Sequence, residues 1–138
     1  MSRTIQKTIT MPCEAKFLSE ARDLLNEVLA EIDAPRHDKE LIVLAVDEAL
    51  SSIVTYARYK GTRHDVSVSL DIDDVRFKAV IVDSQNVFDL NGGMADPVRL
   101  AKERTFTMGI FLMRQVMDEV LYTYRKGFEN QLELIKFL

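Results

Sequence analysis

Two runs of alternating side chains around a short acidic stretch constrain this chain more than any other feature. Val66, Val68, Leu70 and Ile72 recur at every second position, as do Val75, Phe77, Ala79 and Ile81, with Asp73-Asp74 between the runs. Successive side chains of a strand point to opposite faces, so a period of two gives each run one apolar face. Two such runs joined by a tight polar turn form an antiparallel hairpin. A hairpin of this kind is not stable alone and must bury its apolar face against other elements.

The remaining sequence supplies those elements. Thr4 to Met11 places Ile5, Ile9 and Met11 on one side and Thr4, Gln6, Thr8 and Thr10 on the other, a half-buried strand ended by Pro12. Between Glu14 and Ile32, Phe17, Ala21, Leu24, Val28 and Ile32 recur at spacings of three and four, widened by Leu25 and Leu29, which predicts an amphipathic helix. After the Asp33-Ala34-Pro35 break a second helix is expected from about Asp38 to Tyr59, capped by Asp33 or Asp38 and stopped by Gly61. Ser84 to Phe106, with Asn91-Gly92-Gly93 and Pro97, has no clean period and reads as a long functional or mobile loop. A short helix over about Thr107 to Asp118 then leads into strands at Val120–Tyr124 and Gln131–Leu138, with Lys126-Gly127 in the turn between them. The order β-α-α-β-β-loop-α-β-β over residues 1–138 predicts one α/β (α+β) domain. Its architecture is a two-layer sandwich, a mixed, mostly antiparallel five-stranded sheet with three helices on one face.

Bulk properties narrow the function. The 138 residues are 47% hydrophobic and 29% charged, the balance of a single globular domain. With a net charge of −4 and no basic stripe, direct nucleic-acid binding is not expected, because phosphate neutralisation supplies most of that affinity. No apolar run approaches the roughly 20 residues that span a bilayer. Met1 to Thr10 also lacks the apolar core of a signal peptide, so a cytoplasmic protein without membrane contact is expected. The lone Cys13 has no His or basic neighbour in sequence and is expected to be a semi-buried small residue, not a reactive thiol. His37 and His64 are not at metal-ligand spacing and are expected on the solvated surface.

Three features carry chemistry. On the second helix Ile42, Val46, Ala49, Ile53 and Ala57 make the inward stripe, while Glu48, Ser52 and Tyr56 fall at i, i+4 and i+8 on a separate face. A carboxylate and a hydroxyl one turn apart can orient a water or reach a metal, although a solvated face is the ordinary reading. Asp83 ends the run Val75–Val82 where a strand meets the long loop, a common place for ligand recognition. Thr107-Met108-Gly109 opens a helix whose backbone N–H groups could bind a phosphate. Met94, Phe106 and Met108 near the loop could touch a partner, or simply pack.

The segment Val46-Asp47-Glu48-Ala49-Leu50-Ser51-Ser52-Ile53-Val54-Thr55-Tyr56-Ala57 resembles the N box of the Bergerat-fold (GHKL) ATPases, which in small bacterial members reads Glu-Ala-x-x-Asn-Ala-x-x-His-Ala. Val80-Ile81-Val82-Asp83 resembles the start of the Asp-x-Gly-x-Gly-Phe box. Thr107-Met108-Gly109-Ile110-Phe111-Leu112-Met113 resembles the Gly-Leu-Gly-Leu-x-Leu-Ile box, and Met117-Asp118-Glu119-Val120 is similar to the residues just after that box. Three boxes in order over nearly the whole chain resemble the anti-sigma-factor serine-protein kinases of bacterial partner switching.

That resemblance implies ATP and Mg²⁺ as cofactors and a small anti-anti-sigma protein or a sigma factor as partner, in a homodimer. It makes Glu48 the general base and Asp83 the reader of the adenine amino group. Ser52 stands at the metal-holding position, and Thr107, Met108 and Gly109 lie around the phosphates. The sequence also departs from the family. Ser52 replaces the metal Asn, Tyr56 the His, Gln85 and Val87 two glycines, and Thr107 a third. A serine is shorter and lacks an amide carbonyl, and a β-branched Val87 does not adopt the positive φ that glycine allows. Two readings therefore stand: a serine kinase with a degenerate site, or a protein-binding regulator of the same fold that has lost ATP and Mg²⁺.

Overall fold

The computed structural model describes residues 4–61, 63–84, 113–124 and 130–138. The predicted hairpin is there, as β2 (Asp65–Ile72) and β3 (Arg76–Asp83), paired antiparallel with Ile72 opposite Phe77 and Val66 opposite Asp83. Its turn sits one residue later than the sequence suggests. The Asp73 carboxylate accepts hydrogen bonds from the backbone N–H groups of Val75 and Arg76 at 2.9 and 3.0 Å, an Asx-type closure that uses Asp74-Val75 as the tip. Val75 is thereby 64% exposed and does not join the inward set.

β1 (Ile5–Pro12) pairs with β2, and Thr8 and Ser69 join their hydroxyls across the outer face at 3.1 Å. β4 (Glu119–Tyr124) and β5 (Asn130–Phe137) form a second hairpin whose later strand docks on β3. The spatial order is β1-β2-β3-β5-β4, and all four junctions are antiparallel, so the expected mixed sheet has no parallel junction. At the foot of β4 the Asp118 carboxylate accepts from Phe137 N–H, and Asp118 N–H donates to Ile135 O at 2.9 Å, fixing where the hairpin begins.

The helices cover one face. A 3₁₀ turn (Ala15–Phe17) leads into α1 (Leu18–Ala30), so the single expected helix is split and Phe17 caps α1 instead of lying within it. α1 buries Ala21, Leu25, Val28 and Leu29, one helical stripe. α2 (Arg36–Lys60) starts at Pro35, not at Asp33 or Asp38; neither aspartate caps it, and Asp38 lies in its first turn. Proline suits this place because its missing N–H has no partner at a helix start. Gly61 ends α2 with φ of 71°, the left-handed conformation that glycine adopts without a Cβ penalty.

Ile42, Ala45, Val46, Ala49, Ile53 and Ala57 of α2 join Val66, Val68, Leu70, Phe77, Ala79, Ile81, Leu132 and Leu134 of the sheet in one core. Residues 113–116 are helical, and Met113 and Met117 belong to the same core, so this third helical segment lies on the same face. Arg22 and Asp47 link α1 to α2 at 2.8 Å, a half-exposed pair of the kind that contributes about 0–1 kcal/mol. Among the described residues, no helix is long and apolar enough to cross a membrane.

Candidate functional site

The period of two that builds the sheet also aims its polar residues. Phe77, Ala79 and Ile81 point at the helices, so Asp83, two residues on, must point the same way. It does, at 1% exposure. Continuing the other strands by the same step gives Cys13 on β1, His64 before β2 and Asn130 at the start of β5. The register makes these neighbours: Cys13 N–H donates to His64 O at 2.9 Å, and Asp83 lies opposite both Val66 and Asn130. The inner face of the sheet therefore ends in a polar row, Cys13, His64, Asp83 and Asn130, drawn from four adjacent strands.

Each member is buried. His64 Nε2 lies 2.8 Å from Asp83 Oδ1, with both side chains 2% exposed. The ring N–H is not aligned on that oxygen, so the contact is a close electrostatic one, and neither ring nitrogen makes a well-directed hydrogen bond. Both ends of the Asn130 amide are buried without a partner. Burying polar groups in this way costs free energy unless something pairs with them, so such groups mark places where a ligand or water completes the set.

His64 thus corrects the expectation of a solvated surface residue; its parity with Val66 was the signal. His37 is exposed as expected. Cys13 is 7% exposed, and burial, together with the negative charge of Asp83, pushes its thiol up to about 12. It is expected to resist a thiol-specific disulfide reagent at pH 8 in the folded protein and to react promptly in denaturant; reaction at equal rates would contradict the burial. Because the unfolded chain releases this proton near pH 8.5, stability should decline as pH rises from there towards 12.

On α2, Glu48 is half-buried and Ser52 is 4% exposed. Ser52, Asp83 and Asn130 are the residues with polar or charged side chains that are buried outright among the described residues. Two of these three were singled out from sequence alone. The residue missed, Asn130, sits one step before the predicted strand start. A cavity of about 740 Å³ opens on the opposite flank of α2, lined by Cys13, Val54, Arg58, Arg63 and His64. Val54 lies some 200° around the helix from Ser52, so this cavity is not the space beside Glu48 and Ser52. His64 forms the wall between the cavity and Asp83.

Thr107, Met108 and Gly109 lie outside the described residues, as do Gln85, Val87, Met94 and Phe106. Tyr56 belongs to α2, but its side chain is likewise outside them. Among the described residues no group of three or more His, Cys, Asp or Glu could hold a metal ion. The Glu48 carboxylate and the Ser52 hydroxyl, one turn apart, are oxygen donors of the type Mg²⁺ takes when phosphates and waters complete its shell. The orphaned Asn130 amide beside Asp83 suits a flat polar ring such as a nucleobase, which presents donors and acceptors along one edge.

The histidine kinase-like ATPase domain profile matches residues 11–136. The chain belongs to that family. The fold and the box order read from the sequence agree with this assignment. A serine-protein kinase RsbW of Staphylococcus epidermidis is 28% identical over 135 residues, covering 93% of this chain and 84% of its own length. The RsbW serine-protein kinase of Bacillus velezensis is 25% identical over 123 residues, covering 85% and 77%. A chain in the crystal structure of the SiaB–SiaC complex from Pseudomonas aeruginosa superposes with a TM-score of 0.59 at 13% identity, over 96% of this chain and 89% of that one. At that identity the likeness concerns the fold.

Proposed function

We propose that this protein is a partner-switching regulator of the serine-protein kinase type, binding ATP between α2 and the end of β3 and acting on a serine of a small protein partner. The observation that carries the reading is the set of polar side chains, Ser52, Asp83 and Asn130, buried where an otherwise apolar interface would be more stable. The RsbW relatives, named as serine-protein kinases and covering most of the chain, support the same activity.

In this reading Asp83 accepts from the amino group of the base, and Thr107, Met108 and Gly109 lie along the phosphates. Ser52 and Glu48 supply oxygens near Mg²⁺, and Glu48 takes the proton of the attacking serine hydroxyl. ATP supplies the phosphoryl group, and Mg²⁺ offsets its charge. The partner is an anti-anti-sigma protein or a sigma factor, met in the cytoplasm by a homodimer, without nucleic acid or membrane contact.

Glu48→Ala tests the catalytic part. It is expected to leave ATP affinity within about threefold while lowering phosphotransfer to the partner by about 100-fold or more, the usual range for a lost general base. Radiolabel transfer from ATP to a candidate antagonist protein measures it; an unchanged rate removes Glu48 from the chemistry. A second reading, a regulator that binds its partner without turnover, is favoured by one specific feature. Ser52 offers a short hydroxyl where a longer amide carbonyl would reach a metal. Calorimetry separates the two: no heat with ATP and Mg²⁺ at millimolar concentration, together with retained partner binding, selects the second.

A further inference from the structure

We infer that His64 is a positioning residue for Asp83 that sets the base preference of the pocket, favouring a 6-amino over a 6-oxo purine. This rests on the reading that Asp83 faces a nucleotide base.

The main chain fixes where the imidazole sits. Gly61 turns the chain out of α2 in the left-handed conformation, and Cys13 N–H holds His64 O at 2.9 Å, so residue 64 continues β2 with its side chain inward. The imidazole then meets the Asp83 carboxylate at 2.8 Å, both side chains 2% exposed. The rest of the neighbourhood gives the carboxylate little compensation. Val66 and Ile81 are apolar, and Cys13 keeps its proton. A carboxylate so placed remains a charged acceptor only while a donor or positive group offsets the water it has lost. His64 is such a group, and nothing in the family resemblance accounts for it.

The chemical consequence concerns which edge of a purine fits. A carboxylate acceptor pairs with the 6-amino group of adenine, which donates. A neutral carboxylic acid presents an O–H and pairs as well with the 6-oxo group of hypoxanthine, which accepts. Taking away the imidazole leaves the first arrangement costly and brings the second into play. His64 thereby acts on the base through Asp83, without touching it.

The experiment compares ATP with inosine triphosphate, both with Mg²⁺, by calorimetry on the full chain. His64→Phe keeps a flat ring of similar size, which matters because a smaller residue would open Asp83 to the neighbouring cavity and its water. The parent protein is expected to prefer ATP by about tenfold or more, and H64F to reduce that ratio to within about twofold. His64→Gln, which keeps an N–H donor, should recover part of the preference. A merely structural role would weaken both nucleotides together and leave their ratio alone, so an unchanged ratio in H64F overturns the inference while the nucleotide reading stands. If H64F does not fold, H64L carries the same comparison. Absence of binding by either nucleotide to parent and variants alike removes the nucleotide reading itself, and this inference with it.

Discussion

An Asp83→Asn protein is expected to bind ATP about 10- to 100-fold more weakly than its parent, the range that comes from losing a hydrogen bond to a charged acceptor. The side chain is 1% exposed on the inner face, so bulk water cannot substitute for the lost oxygen. Asparagine has nearly the same shape and leaves the strand register intact. It also presents an N–H₂ group towards one of two neighbours that need an acceptor, either the imidazole of His64 or the base. The titration should be run beside a thermal melt, so that a loss of fold is not mistaken for a loss of affinity. Affinity within about threefold of the parent, in a protein that melts normally, would show that Asp83 is buried for structural reasons alone.

The largest effect on stability should come from Phe77. Its side chain is fully buried, on the strand that pairs with β2 on one side and β5 on the other. Phe77→Ala is expected to cost about 3–5 kcal/mol, because the transfer energy of the ring is lost and the space between sheet and helices cannot close. Against the roughly 5–15 kcal/mol that holds a typical domain together, that is enough to leave a large unfolded fraction. Urea titration of the parent, F77A and Phe137→Ala makes the test internal. Phe137 is 54% exposed, and its truncation should cost under about 1 kcal/mol. If the two alanine variants prove equally stable, the core has been placed on the wrong side of the sheet.

Much of this architecture could be read from side-chain periodicity, since periodicity is itself a record of which face meets the core. The β2–β3 hairpin, the stripe on α2 and the inward aim of Asp83 all derive from it. What it missed has identifiable causes. Asp73 closes the hairpin with its own carboxylate, which moves the tip to Asp74-Val75 and lifts Val75 out of the apolar set. Pro35 starts α2 where the two aspartates looked better suited, because a preset φ served as well as a side-chain cap.

In the site the omission was systematic. Cys13, His64 and Asn130 each continue an alternating run by one step, but hydropathy ends a run at its last apolar member. A polar row at the end of a sheet is therefore invisible to the pattern that defines the sheet. Pairing across strands, which a single sequence does not display, was needed to see that the four residues stand side by side.

The strand order has a consequence for how the protein comes into being. β5 is the last strand in the chain but lies inside the sheet, between β3 and β4, with eight paired positions along β3. Until residues 130–137 have left the ribosome, β3 has a bare edge and the inner face of the sheet is incomplete beneath the helices. Earlier elements can form the β1–β2–β3 meander and the α1–α2 pair, but they cannot close the core. Folding must therefore finish after synthesis of β5. A nascent chain stalled before Asn130 would expose a long hydrogen-bonding edge to neighbouring chains, the condition under which chaperone capture competes with aggregation.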